Sequence, residues 1–143
     1  MISFVQGSSS NVATDPPDQC YYYTINSDPT RLTTYGTCSN CPVDSDALFP
    51  TAWYRFIDGA GTKLSQTPSI INSCGASYPA YFNGTFPTTT GTTVNGTVCA
   101  NVNGVLCHTS YLLDNILVTN CGSYYVFYLK RTTSSLVRYC TTH

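Results

Sequence analysis

Apolar residues in this chain come in short runs separated by Gly, Pro, Asn or Ser, and none is long enough to cross a bilayer. Residues 53–57 (WYRFI), 69–72 (SIIN), 111–120 (YLLDNILVTN), 123–130 (SYYVFYLK) and 136–139 (LVRY) are rich in β-branched and aromatic side chains, and each predicts a strand or core segment. "YYVFYL" is apolar at consecutive positions, so both faces want burial and the strand belongs in the middle of a sheet. Residues 88–97 (TTTGTTVNGT) are polar and predict an exposed loop or edge. Only "DALF" and "TSYLLDNI", the latter with Thr109 or Ser110 as N-cap, offer a turn or two of helix. In "CYYYT" three consecutive tyrosines imply either a strand packed on both faces or a contact patch.

Composition narrows the fold class. The 143 residues are 42% hydrophobic, enough for one domain with a real core. All seven acidic residues are Asp, and positions a helical protein would fill with Glu or Lys hold Thr, Ser, Tyr and Asn. The expectation is a mostly β, disulfide-rich antiparallel, sandwich-like domain with at most one or two short helices. A net charge of −1 and scattered basic residues offer no track for nucleic acid and no polybasic patch for a membrane.

Eight cysteines stand at 20, 38, 41, 74, 99, 107, 121 and 140. An even count in a low-charge chain predicts a disulfide framework and an oxidising compartment. Zinc would want two close ligand pairs, and Cys38-x-x-Cys41 is the only tight one beside Cys99, Cys107 and His108. "MISFVQGSSSNV" has no basic n-region and no adequate apolar h-region, so the chain reads as a mature or excised form of an exported protein.

Two sequons, Asn83-Gly84-Thr85 and Asn95-Gly96-Thr97, predict N-linked glycans, while Asn72-Ser73-Cys74 is a poor acceptor. The first lies inside "YPAYFNGTFP", among rings that a core would claim. A strand leading into a Gly-containing turn resolves this, with Asn83 outward and alternate aromatics inward.

The order "DQC", "WYRF" followed by "DGAG", "CGASYPAYFNGTFP", Cys99 and Cys107, "NCGSYYVFYL" and a closing "RYC" resembles the eight-cysteine domain of the uromodulin and zymogen-granule membrane glycoprotein type, from Cys20 to about Cys140. A cysteine that the family often carries shortly before its last one is missing from "RTTSSLVRYC". The resemblance implies pairs Cys20–Cys121, Cys74–Cys140 and Cys99–Cys107, which leaves Cys38 and Cys41 for each other. It also implies that the sequon region around Asn83 presents a glycan for bacterial surface lectins to grip, an adhesive or decoy role.

Enzyme chemistry has little material. There is no Glu, no Gly-x-Ser-x-Gly elbow, and only two histidines, His108 and His143. Asp44 with Asp46, or Asp58 with Asp114, would be the carboxylate pairs, yet turn chemistry explains these aspartates, and Asp44/Asp46 make a weak calcium site. No cofactor, metal or catalytic residue is expected.

Residues 1–19 read as an N-terminal strand and flexible linker ahead of a disulfide-stapled domain, 20–143. Ile2, Ser3, Phe4 and Val5 are apolar and β-prone, and about 14 intervening residues at up to roughly 3.3 Å each give a reach beyond 40 Å before Cys20. That suits a strand docked on its own domain's sheet edge or equally one added to another copy's sheet. The sequence therefore predicts a secreted, N-glycosylated structural and adhesive extracellular module that assembles head-to-tail into filaments. The alternative is a monomeric carbohydrate-binding or glycan-presenting decoy domain, with a hydrolytic enzyme ranked behind it. Expected partners are N-linked glycans, further copies of the chain or glycan-binding proteins.

Overall fold

A computed structural model describes residues 15–143; the strand expected at residues 2–5 lies outside them. Ten strands follow in chain order: β1 (Thr24–Asn26), β2 (Ala52–Phe56), β3 (Lys63–Leu64), β4 (Tyr78–Asn83), β5 (Thr93–Val102), β6 (Val105–Leu106), β7 (Leu113–Asn120), β8 (Tyr125–Leu129), β9 (Val137–Tyr139) and β10 (Thr141–Thr142). One sheet runs β1-β2-β8-β7-β5-β4-β9, with β6 folded back on β5, and β3 pairs with β10 in a second, two-stranded sheet. The fold is mostly β. Its main sheet is mixed, since β1 runs parallel to β2 and β9 parallel to β4. The described residues hold no α-helix, only single 3-10 turns at Asp18–Cys20, Pro29–Arg31 and Asp58–Ala60.

Period-two alternation sorts the side chains. Tyr54, Phe127, Val118 and Val94 share one row across β2, β8, β7 and β5 and enter the core, where Phe56, Phe82, Phe86, Ile116 and Leu129 join them. Phe86 is the hub, its ring 5.4 Å from Phe82, 5.0 Å from Tyr125 and 5.6 Å from Phe127. As its apolar run required, β8 lies inside the sheet, between β2 and β7.

Several expectations are corrected here. Residues 69–72 form no strand, and Ile70 is 79% exposed. "DALF" makes turns and "TSYLLDNI" runs into β7, because Ile116 and Val118 meet the core at period two and Leu113 joins them across a bulge. Residues 88–97 are not wholly loop or edge. From Thr93 onward they belong to β5, where Thr93 to Gly96 pair with β7 alone and keep an open edge on the other side among the described residues, and Thr97 pairs with Asn83 of β4.

Two buried arginines organise the irregular segment between β1 and β2. Arg31 makes a two-pronged pair with Asp44 (2.8 and 2.5 Å) and donates to the Tyr139 carbonyl (3.1 Å), while Asp44 also accepts from the Tyr139 amide (2.9 Å). Burial pulls the Arg31 guanidinium down, but the Asp44 carboxylate overrides it and leaves Arg31 above its ordinary value. Arg138 binds Asp28 (2.5 Å), the Thr30 hydroxyl (2.9 Å) and the Cys74 carbonyl (3.0 Å). Four disulfides complete the frame: Cys20–Cys121, Cys38–Cys41, Cys74–Cys140 and Cys99–Cys107. Those that close 101 and 66 residues restrict the unfolded chain most, by roughly 4–5 kcal/mol each on a loop-entropy account.

Candidate glycan-bearing site

On β4, Ala80 and Phe82 enter the core, so Tyr81 and Asn83 point to the opposite, outer face. On β5, Val94, Val98 and Ala100 enter the core, which turns Asn95, Thr97 and Cys99 outward. Both sequon asparagines therefore stand exposed on one face. Asn83 is opposite Thr97 across the strand pair, so Asn83 and Asn95 are diagonal neighbours, roughly 7–8 Å apart.

The middle residue of each sequon answers to one ring. A Cβ at Gly84 would meet Phe82 at 2.8 Å, and one at Gly96 would meet it at 2.4 Å. The sequence placed Gly84 in a turn and Gly96 in a loop or edge, and the structure adds that both positions lack space for a Cβ. Phe82 occupies the inward room of its own sequon and of the next strand's, and each asparagine is left outward. A small residue at the inward position of a β-prone run was the available signal.

Around Asn83 the surface is cross-linked. Cys99, directly across from Tyr81, is bonded to Cys107, and this clamps the β5–β6 hairpin over the Tyr81 ring. The Tyr81 hydroxyl lies 3.7 Å and Asn83 Nδ2 3.8 Å from Cys107 Sγ. Burial alone pushes the Tyr81 phenol up. Asn95 Nδ2 instead donates to Asn115 Oδ1 on β7 (3.1 Å), and Thr97 donates to Asp114 Oδ1 (2.9 Å). Asn115 sits at φ +59°, beside the register shift that separates the Gly96–Ile116 and Val98–Leu113 pairings.

The other candidate residues are occupied singly. Asp44 is sealed against Arg31, Asp46 accepts from the Leu48 amide (3.0 Å), Asp58 opens a 3-10 turn and Asp114 holds Thr97. His108 Nδ1 accepts from the Ser110 amide (3.1 Å) and its ring tilts against Tyr111. Among the described residues no group of three His, Cys, Asp or Glu side chains gathers to hold a metal, and no helix is long and apolar enough to cross a membrane. Tyr21 and Tyr22 are exposed, whereas Tyr23 lies beneath Arg55 (5.6 Å).

A disulfide-stapled β module of the kind found in oxidising, extracellular settings is what this frame and surface define. The chain belongs to the uromodulin-like eight-cysteine domain family, whose family model matches residues 54–141 and so takes in both sequons. It is 31% identical over 137 residues to pancreatic secretory granule membrane major glycoprotein GP2 of Canis lupus familiaris, covering 95% of this chain and 26% of that protein. To the GP2 glycoprotein of Rattus norvegicus it is 33% identical over 138 residues, covering 94% and 24%. Uromodulin of Rattus norvegicus is 30% identical over 137 residues, covering 95% and 20%. The chain thus spans about a quarter or less of the length of the curated relatives it matches.

Proposed function

We propose that this chain is an extracellular structural and adhesive module, not an enzyme, that presents N-glycans from Asn83 and Asn95 and joins copies head-to-tail. The observation that carries the glycan reading is the shared outward face of the two sequon asparagines, backed by the Phe82 ring and the Cys99–Cys107 clamp. A glycan rooted on a clamped strand end has a fixed attachment point, which lowers the ordering cost of capture by a glycan-binding partner. The relatives' printed names, which include two glycoproteins, agree with this reading. Glycopeptide mass spectrometry of the protein secreted from a glycosylating host tests it. Occupancy at Asn83 and Asn95 is the expected result, and two bare asparagines would remove glycan presentation.

The observation that supports joining of copies is the β1 edge of the sheet, open among the described residues. Strand β1 has no neighbour on its far side among the described residues, and Ile25 at its centre is 56% exposed. Beside it lies a groove of about 630 Å³ lined by Ile25, Pro42, Leu48 and Phe49 among others. A donated strand of residues 2–5 would add main-chain bonds along β1 and bury Ile2, Phe4 and Val5, worth roughly 1.5–3 kcal/mol each. Light scattering on the full chain and on a chain lacking residues 1–14 tests this. Assembly should be lost with the segment, and a full-length chain that stays monomeric at high concentration overturns the donated strand.

A further inference from the structure

The outer face carries a second row in register with the core row. Trp53 on β2 pairs with Tyr128 on β8, Tyr128 with Leu117 on β7, and Leu117 with Asn95 on β5. Because Tyr54, Phe127, Val118 and Val94 point inward, these four point outward together. Trp53, Tyr128 and Leu117 are half-buried, with the two rings 5.4 Å apart at a tilt of 55°. An apolar strip thus runs along the outer surface and ends at a glycosylation sequon. Three strand spacings of about 4.8 Å separate Asn95 from Trp53, roughly 14 Å in all, a span that the first few sugars of an N-glycan cover.

The neighbouring outward row is already covered by the chain itself. Gln19 donates to Thr119 Oγ1 (3.1 Å), the Tyr124 ring lies 3.7 Å from the Arg55 guanidinium, and Val126 and Thr119 are fully buried. The Trp53–Tyr128–Leu117 row has no such cover among the described residues. The two sequons also aim differently. Asn83 Nδ2, the atom that would carry a sugar, faces the Cys99–Cys107 hairpin, whereas Asn95 Nδ2 reaches over to Asn115 on β7, the first strand of the apolar row.

We propose that the N-glycan on Asn95 lies down across the outer face, its first N-acetylglucosamine and mannose rings packed on Leu117, Tyr128 and Trp53, while the glycan on Asn83 leaves beside the Cys99–Cys107 hairpin, away from that row. Pyranose rings suit this strip, since their faces of C–H bonds meet aromatic rings and their rim hydroxyls stay in water, as amphipathic contacts require. One glycan then completes the fold as an outer layer and the other serves recognition. The inference rests on glycosylation at Asn95 in the reading above and adds a separate role for each site.

Trp53 is the only tryptophan in the chain, so its fluorescence reports on the strip directly. The experiment uses the full chain secreted from an N-glycosylating host, with occupancy read by glycopeptide mass spectrometry. Asn95→Gln should shift Trp53 emission to the red and raise its quenching by acrylamide. Thr97→Ala, which destroys the same sequon while keeping Asn95, should do the same, and Asn83→Gln should do neither. On the native protein, peptide N-glycosidase should release the Asn83 glycan faster than the Asn95 glycan. An occupied Asn95 whose loss leaves Trp53 quenching unchanged overturns the proposal and leaves glycan presentation standing. A bare Asn95 beside an occupied Asn83 overturns it equally. Exposure of Trp53 on deleting residues 1–14, with Asn95→Gln silent, assigns the cover to the chain's own N-terminal segment instead.

Discussion

Between β4 and β8 neighbouring strands meet through rings and branched side chains, whereas residues 28–51 contain no strand and are held by Arg31, Arg138 and their aspartates. The two regions respond differently to damage. Apolar packing is shared among many partners, so the loss of one group is graded and neighbours relax toward the gap. A buried charge has few counterparts, here Asp44 and Asp28 for the two arginines, and removing one leaves a charge that is only partly neutralised. The sheet is thus tolerant and the segment brittle.

Asp44→Ala is the strongest way to expose that contrast. It strands the Arg31 guanidinium, 2% exposed, and also removes the acceptor of the Tyr139 amide. A loss of about 3–5 kcal/mol is expected in urea denaturation. The double variant Arg31→Met with Asp44→Leu should recover part of it, because no stranded charge remains, although the Tyr139 amide and carbonyl lose their side-chain partners. If the single variant costs under about 1 kcal/mol, the segment is not held as described.

Overpacking the sheet should cost less. Gly96→Ala places a methyl carbon 2.4 Å from the Phe82 ring, and about 1–3 kcal/mol is expected from the strain this puts on the Phe82–Phe86 contact. A neutral result would mean that Phe82 can turn away, and that the inward position of the second sequon is not governed by that ring.

Acid should affect the segment before the sheet. Burial raises the Asp28 carboxyl, but hydrogen bonds from Thr30 and the charge of Arg138 outweigh it and hold the group below its ordinary value. Its folded pKa therefore lies below the unfolded value of about 3.9. The stabilisation is complete above that pH and is lost as pH falls through the folded pKa. Asp28→Asn should flatten the fall of Tm below about pH 4, measured by calorimetry against the parent chain. An unchanged slope would place the acid sensitivity elsewhere.

Leu48 supplies the smallest expected effect. It belongs to the brittle segment but is 88% exposed, so Leu48→Ser should stay within about 0.5 kcal/mol of the parent chain. A larger loss would mean that Leu48 is covered in the native assembly, which would sharpen the case for a strand docked beside β1.

The strands that were legible in the sequence are those whose own side chains make the core. Residues 53–56, 113–120, 125–129 and 137–139 carry inward apolar residues in β spacing, and the run "YYVFYL" announced a strand enclosed on both sides. The first half of β5 was illegible because Gly96, its inward position, is filled by Phe82 from β4. "SIIN" misled in the opposite direction. Hydropathy marked Ile70 for burial, yet residues 69–72 pair with no strand, and Ile70 stays in solvent.

Composition and spacing by themselves determined the class: a cysteine-rich, Glu-free chain of short aromatic runs with two sequons in β-prone surroundings. Those properties are local, each readable from a residue and its near neighbours. The tertiary structure alone decided what depends on register between distant segments. It paired Arg31 with Asp44 and Arg138 with Asp28, placed β1 and β9 parallel to their partners, and set both sequon asparagines on one face. It also laid Trp53, Tyr128 and Leu117 in a line ending at Asn95. A strand carries no mark of which residue will face it across a ladder, and a one-residue slip would turn the whole row inward. Burial of the opposite row, Tyr54 to Val94, forbids that slip.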